Sequence, residues 1–219
     1  MRILLLFVFI AILLYLKLVL HLRIKLKTFF RKGFAPKRGQ FGVYCFCGKQ
    51  GKGKTYSVVE FLQDNKDKKI FCNIPNIKGI NYTYFSGFDE LLKLRSEKDC
   101  IIVYDEIFTA LTRTSKLNTD VLDFLSQMRK RGIIFLTTAQ EWLEINITLR
   151  RYCRYQIECN MINLFGFGLL IKTFYDAEQM KWSTDDNEYV APITDLTISK
   201  CNIKIANSYD TNAQIIGTS

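Results

Sequence analysis

The run Gly48-Lys49-Gln50-Gly51-Lys52-Gly53-Lys54-Thr55 fits the phosphate-binding pattern GxxxxGK(S/T) at every defined position. A loop that curls around a phosphate must point several backbone N–H groups inward, and side chains at Gly48 and Gly53 would obstruct it. The flanks keep the order such a loop needs: strand, glycine loop, helix. Phe41 to Cys47 reads as a buried strand, and Tyr56 to Asp64 as a helix with Val58, Val59, Phe61 and Leu62 apolar. Lys54 is then placed to reach the β- and γ-phosphates of ATP, and Thr55 to offer its hydroxyl to Mg²⁺. The residues expected around the nucleotide are Gly48, Lys49, Gln50, Gly51, Lys52, Gly53, Lys54, Thr55 and Tyr56. The bland alternative is a Gly/Lys-rich surface turn.

A second segment argues against that alternative. Cys100-Ile101-Ile102-Val103-Tyr104 is an apolar run that ends in Asp105-Glu106, which is how a buried parallel strand delivers acids to the carboxyl edge of its sheet. Asp105 is the expected partner of the Mg²⁺ shell, and Glu106 is placed to orient or deprotonate an attacking water. A carboxylate pair can also simply open a turn.

The formal net charge of +10 invites a nucleic-acid reading, so its location matters. Residues 1–40 hold nine Lys or Arg and no acid, leaving 22 basic and 21 acidic groups in the other 179 residues. Any DNA contact by the remaining domain must therefore come from local patches rather than from overall charge. The N-terminus accounts for the excess. Ile3 to Leu16 is an unbroken apolar run, Lys17 interrupts it, and Leu18-Val19-Leu20 resumes it, close to the roughly 20 residues that span a bilayer. Lys17 can extend its ammonium to the headgroups, and the cluster from Arg23 to Arg38 favours the cytoplasmic side. The expected anchor is N-out and C-in. A cleaved secretory signal and a peripheral amphipathic helix are the rivals; only Arg2 forms an n-region and no small-residue cleavage site follows.

Seven cysteines, an odd count lying mostly in strand-like apolar runs, suit a reducing compartment better than a disulfide framework. His21 is the sole histidine and no zinc spacing is present, so no metal other than Mg²⁺ is indicated. The organisation expected is an anchor over 1–22, a basic juxtamembrane linker over 23–40, one ATPase domain over 41–206 and a polar, mobile tail over 207–219. Within the domain, Lys69–Asn73, Ile133–Thr138, Arg150–Met161 and Leu169–Tyr175 read as strands, and Gly87–Arg95 and Asn118–Arg131 as helices. Alternating strands and helices imply a parallel sheet.

Ile133 to Ala139 ends in Gln140, whose amide can sense a γ-phosphate. A Glu beside the Mg²⁺ Asp and a polar residue ending the following strand resemble the additional-strand P-loop ATPases; no guanine-reading Asn-Lys-x-Asp is present. The fold class expected is therefore α/β, a P-loop NTPase of that type with a mostly parallel central sheet, preceded by one transmembrane helix. Taken with Gln127-Met128-Arg129-Lys130-Arg131-Gly132 and Leu149-Arg150, the order of motifs over residues 41–160 resembles the zonular occludens toxin-like proteins of filamentous phages, a branch of the HerA/FtsK group of DNA-pumping and packaging ATPases.

That resemblance implies ATP hydrolysis that moves phage DNA at a membrane, in a homo-oligomeric ring and with phage coat or assembly proteins as partners. It also implies an arginine reaching a neighbour's γ-phosphate, for which Arg129, Arg131, Arg150 and Arg151 are candidates; they and Lys130 could instead touch the DNA backbone. The family generally places its span after the ATPase domain. Here the span comes first, which suits an ATPase tethered to a host cell membrane or a virion membrane, for extrusion or for packaging. A nucleotide-gated structural or secretion component and a kinase-like phosphotransferase are the alternatives from other classes.

Overall fold

The computed structural model describes residues 2–19, 41–164, 167–184 and 188–210. The basic linker expected over 23–40 and residues 211–219 of the expected tail lie outside the described residues. The apolar N-terminal segment forms an 18-residue helix, α1 (Arg2–Val19). Among the described residues no helix is long and apolar enough to cross a membrane; α1 rises about 27 Å at the usual 1.5 Å per residue, and the rest of the expected anchor lies beyond it.

The domain begins with β1 (Gly42–Cys47), followed by α2 (Lys54–Asp64), β2 (Lys69–Cys72), β3 (Thr83–Tyr84) and α3 (Phe88–Lys93). Next come β4 (Cys100–Tyr104), α4 (Thr119–Arg131), β5 (Ile134–Ala139), α5 (Ile147–Tyr152) and β6 (Cys153–Leu164). The chain continues through β7 (Phe167–Asp176), the short pair β8 (Lys181–Ser183) and β9 (Glu188–Val190), β10 (Ile193–Lys200) and α6 (Ile203–Ala206).

Eight of these strands make one sheet in the order β10-β7-β6-β1-β5-β4-β2-β3. From β6 to β3 every pairing is parallel, and β7 and β10 extend the sheet antiparallel. The strand β5 lies between the strand that leads into the glycine loop and the one that ends in Asp105, so the additional strand read from the sequence is present. Because β1, β4 and β5 all run the same way, their carboxyl ends share one edge, and the loop and both acids meet there.

Apolar runs fill both faces. Val43, Cys45, Ile102, Tyr104 and Phe135 pack with α4 and α5 residues on one face, while Tyr44, Phe46, Ile101, Val103 and Leu136 pack under α2 on the other. This is why these strands read as continuous hydrophobic stretches rather than as alternating ones. Six cysteines are buried in the core and the seventh, Cys201, is half-buried, all of them free.

Three boundaries differ from those expected. Arg150 to Tyr152 are helical rather than the start of a strand, because the Asn146 side chain accepts from the N–H groups of Thr148 and Leu149 and starts α5. Asn146 is itself fixed by its amide, which donates to the carbonyls of Thr112 and Ser115 at 2.8 Å. The chain also stays packed past residue 206: Ser208 is buried and its carbonyl accepts from Lys78 N–H at 2.7 Å. Finally, β10 was not expected; its side chains alternate over Leu196-Thr197-Ile198-Ser199, as suits a strand near the sheet edge.

A buried ion pair ties the antiparallel extension to α2. Lys172 on β7, 1% exposed, donates to Glu60 on α2 at 2.6 Å. Removing one member strands the other charge in the core, at a typical cost of about 3–5 kcal/mol, whereas replacing both with apolar residues can be nearly neutral. Urea titration of Lys172→Met should therefore show a loss of about that size, and Lys172→Met/Glu60→Met should recover most of it; an additive double variant would contradict the pairing.

Candidate functional site

The loop between β1 and α2 is shaped by glycine at two close approaches. Gly48 has φ 150°, and a Cβ there would sit 2.6 Å from the Cys159 carbonyl oxygen of β6. Gly53 has φ 86°, and a Cβ there would lie 2.9 Å from Leu170 and Met161. The glycines thus answer to the neighbouring hairpin β6–β7 as well as to a phosphate, a constraint the motif alone does not show. Gly53 is also the N-cap of α2 and supplies no side-chain cap, and the first turn of this 11-residue helix carries no acid. Its first N–H groups lack intrahelical acceptors and its dipole favours an anion at this end.

Lys54 folds back over the loop, donating to the carbonyls of Gly48 at 2.8 Å and Lys49 at 3.4 Å. Lys49, Gln50 and Gly51 are exposed, and Lys52 donates to Asn160 on β6 at 3.0 Å. The Tyr56 side chain is buried in the core under α2, where its hydroxyl accepts from Asn202 N–H at 2.7 Å, which leaves only its first-turn backbone N–H on the side of the loop. That side chain holds the C-terminal segment.

Across from the loop, Asp105 is buried and accepts two hydroxyl hydrogen bonds, from Thr55 at 3.1 Å and from Thr138 at 2.5 Å. The Thr55 hydroxyl and the Asp105 carboxylate thus converge, as a shared Mg²⁺ would require. Burial pushes the Asp105 carboxyl above the usual range; the bonds from Thr138 and Thr55 and the charge of Lys54 pull the other way, and the Glu106 charge adds to the rise. A buried carboxylate that has hydroxyl partners and, among the described residues, no salt bridge would suit a divalent cation. Among the described residues no cluster of three or more His, Cys, Asp or Glu could hold a metal by itself, so the remaining ligands would come from phosphate and water.

Sequence reasoning missed two residues of this site. Thr138, on β5, also accepts from Glu106 N–H at 2.8 Å, so one hydroxyl fixes both acids. Asn73, just after β2, is buried; its side chain accepts from Asp105 N–H at 2.7 Å and donates to Asp105 C=O at 3.2 Å. Both are polar residues at or just past the carboxyl end of a buried strand flanking β4, and that position was the available signal. Glu106 adopts a left-handed backbone, φ 57°, which costs a non-glycine residue energy and turns the chain sharply after β4.

Gln140 follows β5 and is exposed; its carbonyl accepts from Gly48 N–H at 3.1 Å, so it does reach the loop. A cleft of about 380 Å³ opens here, lined by Gly48, Lys49, Lys52, Gln140, Trp142, Glu158 and Asn160 among others. The arginines lie elsewhere. Arg131 ends α4 just before β5, and Arg150 sits on α5 just before β6, so both stand at the edge where the parallel strands begin. Arg131 donates to Gln127 at 2.7 Å, and Arg150, 9% exposed, lies over the Tyr189 ring. With about 3.3 Å per strand residue, β1 alone puts them some 16 Å from the loop of their own chain.

The fold is an α/β domain with a mostly parallel sheet and an inserted strand, and its site is a glycine loop that faces two carboxylates. No family model and no curated protein matches the sequence. Solved structures similar to this chain include the N-terminal domain of zonular occludens toxin from Neisseria meningitidis, at 18% identity and a TM-score of 0.49, covering 78% of this chain and 100% of that one. They also include the genome packaging NTPase of Sulfolobus turreted icosahedral virus 2 in complex with ATP-gammaS, at 10% identity and a TM-score of 0.48, with 68% and 95% covered. A KaiC-like protein from Pyrococcus horikoshii is similar at 13% identity and a TM-score of 0.44, with 69% and 89% covered. The family named from the motifs is thus among the similar structures. These likenesses are distant, and the functional argument rests on the site.

Burial of the Asp105 carboxyl has a consequence for stability. Because the folded carboxyl keeps its proton more tightly than the unfolded one, its ionised form burdens stability above its raised pKa and not below the ordinary aspartate range. Asp105→Asn should therefore raise the thermal midpoint of nucleotide-free protein at neutral pH, by about 2–4 °C per kcal/mol relieved, with the gain shrinking in acid. A midpoint that falls at neutral pH would contradict this.

Proposed function

We propose that this chain is a membrane-anchored ATPase that couples ATP hydrolysis to movement of phage DNA during virion assembly, extrusion or packaging. The observation that carries the hydrolytic part is the meeting of Lys54, Thr55, Asp105 and Glu106 at one sheet edge, with Thr138 bonded to both acids. Binding follows from the loop and the N-terminus of α2, which offer N–H groups and a favourable dipole to phosphate oxygens. Lys54, already beside the loop, would exchange its carbonyl partners for the β- and γ-phosphates.

Thr55 and Asp105 would hold Mg²⁺, which supplies charge neutralisation of the phosphates. Glu106 would take the proton of the attacking water, its backbone fixed by Thr138 so that it tracks the position of Asp105. Gln140, whose carbonyl accepts from Gly48 N–H, would register whether the γ-phosphate is present. An arginine acting across a ring interface would have to come from the opposite edge of a neighbour, and Arg131 and Arg150 would first have to leave Gln127 and Tyr189.

Support for the anchor is the helix α1 itself. Its described side chains from Leu4 to Ile12 are exposed, with Leu4 at 69% and Phe7 at 66%. So continuous an apolar surface is not left in water; lipid or another helix covers it. The DNA-moving part rests on the motif resemblance, with coat or assembly proteins as the further partners it implies.

Lys54→Ala should reduce ATP turnover at least 100-fold, the scale of losing one preorganised charge contact, and Glu106→Gln should retain ATP without turning it over. Turnover by the wild-type full chain should rise with single- or double-stranded DNA. Turnover that ignores both, with assembly that follows the nucleotide, would replace the translocase with a nucleotide-gated structural component; wild-type turnover in Glu106→Gln would remove Glu106 from the chemistry.

A further inference from the structure

At the edge where the parallel strands begin, a cleft of about 490 Å³ is lined by Phe41, Ser126, Arg129, Arg151, Tyr152 and Arg154, among others. Two guanidinium groups share the Phe41 ring, that of Arg129 at 5.4 Å and that of Arg154 at 5.8 Å from its centroid. Arg154 also donates to the Phe41 carbonyl at 3.4 Å. Arg129 and Arg151 are exposed, and Glu178 is the one acid among the lining residues. Basic residues at the ends of α4 and α5 complement the helix dipoles. That does not account for Arg154, which lies on β6, nor for the convergence of two arginines on Phe41.

Phe41 is also where the chain enters the domain. The 21 residues 20–40 precede it, and they carry Arg23, Lys25, Lys27, Arg31, Lys32, Lys37 and Arg38 without an acid. The apolar helix α1 precedes those. In sequence, no acid separates the end of the apolar segment from Phe41 at the cleft, and the nucleotide site lies at the far edge of the sheet.

We propose that this cleft and its rim are the membrane-facing side of the domain, and that Arg129, Arg151 and Arg154 bind phosphate groups of anionic phospholipids. This rests on the reading of α1 as the anchor. Guanidinium groups match phosphate oxygens in a fork, and the aromatic residues Phe41 and Tyr152 suit the headgroup region. A juxtamembrane basic run is attracted to an anionic leaflet, and the cleft extends that run onto a folded surface. The arrangement leaves the nucleotide edge facing the aqueous side, open to ATP. It also gives Arg129 and Arg151 a lipid phosphate as partner in place of a neighbour's nucleotide.

Arginine footprinting tests the proposal on the full chain. The protein is mixed with vesicles of phosphatidylcholine alone or of phosphatidylcholine with phosphatidylglycerol, floated on a density gradient, and treated with phenylglyoxal, with modification read by peptide mass spectrometry. Arg129, Arg151 and Arg154 should react several-fold more slowly on the anionic vesicles only, the protection should fall at high salt, and the exposed Arg95 and Arg113 should not change.

Flotation with both lipids but equal labelling overturns the proposal and leaves the anchor standing. Protection on anionic vesicles without flotation on neutral ones removes the anchor and upholds the cleft. Neither flotation nor protection removes both. Protection by inorganic phosphate alone, or by an oligonucleotide as fully as by lipid, overturns the membrane assignment in favour of a small-anion or nucleic-acid site.

Discussion

The Asp105 carboxylate is held by hydroxyls from two other elements, Thr55 from the start of α2 and Thr138 from the inserted strand β5. Everything at the nucleotide edge depends on that bridge. It joins the phosphate loop to the strand that carries the acids, although β5 separates β1 from β4 in the sheet. The same Thr138 oxygen takes Glu106 N–H, so one side chain fixes both acids relative to each other. In a water-excluded site such preorganisation is where most electrostatic stabilisation of a phosphoryl transfer arises. The cost is a carboxylate whose burial disfavours its charge, offset in part by the two hydroxyls and by the charge of Lys54.

The sheet also gives the domain a direction. Parallel strands put the glycine loop, both acids and Gln140 at one edge, and the entry from the apolar N-terminus with its arginines at the other. A buried Lys172–Glu60 pair fastens the antiparallel extension to α2, the helix that follows the glycine loop. The hairpin β6–β7 in turn brings backbone so close to Gly48 that a Cβ there would collide with it, and it packs Leu170 and Met161 beside Gly53, where the positive φ favours glycine. The extension is therefore part of the loop's support.

Much of this was legible in the chain. The loop, the paired acids and the inserted strand each have a local signature: glycines at fixed spacing, and apolar runs that end in polar residues. Asn73 and Thr138 escaped because their roles depend on which strands become neighbours, and sheet order is not written in local periodicity. Arg150 illustrates the same limit. Its position beside Leu149 was readable, but its burial against Tyr189 depends on the β8–β9 pair, whose short strands give little signal. Tyr56 follows the motif directly, and only the packing of the C-terminal segment shows that its side chain serves the core.

The central claim is that Asp105 and Thr55 wait for a cation that nucleotide brings. Calorimetric titration of a slowly hydrolysed ATP analogue, with and without Mg²⁺, tests it most directly. The account predicts binding at least about tenfold tighter with Mg²⁺, equivalent to about 1.4 kcal/mol, and loss of that difference in Asp105→Asn. Equal affinity with and without Mg²⁺ in the wild-type chain would contradict it.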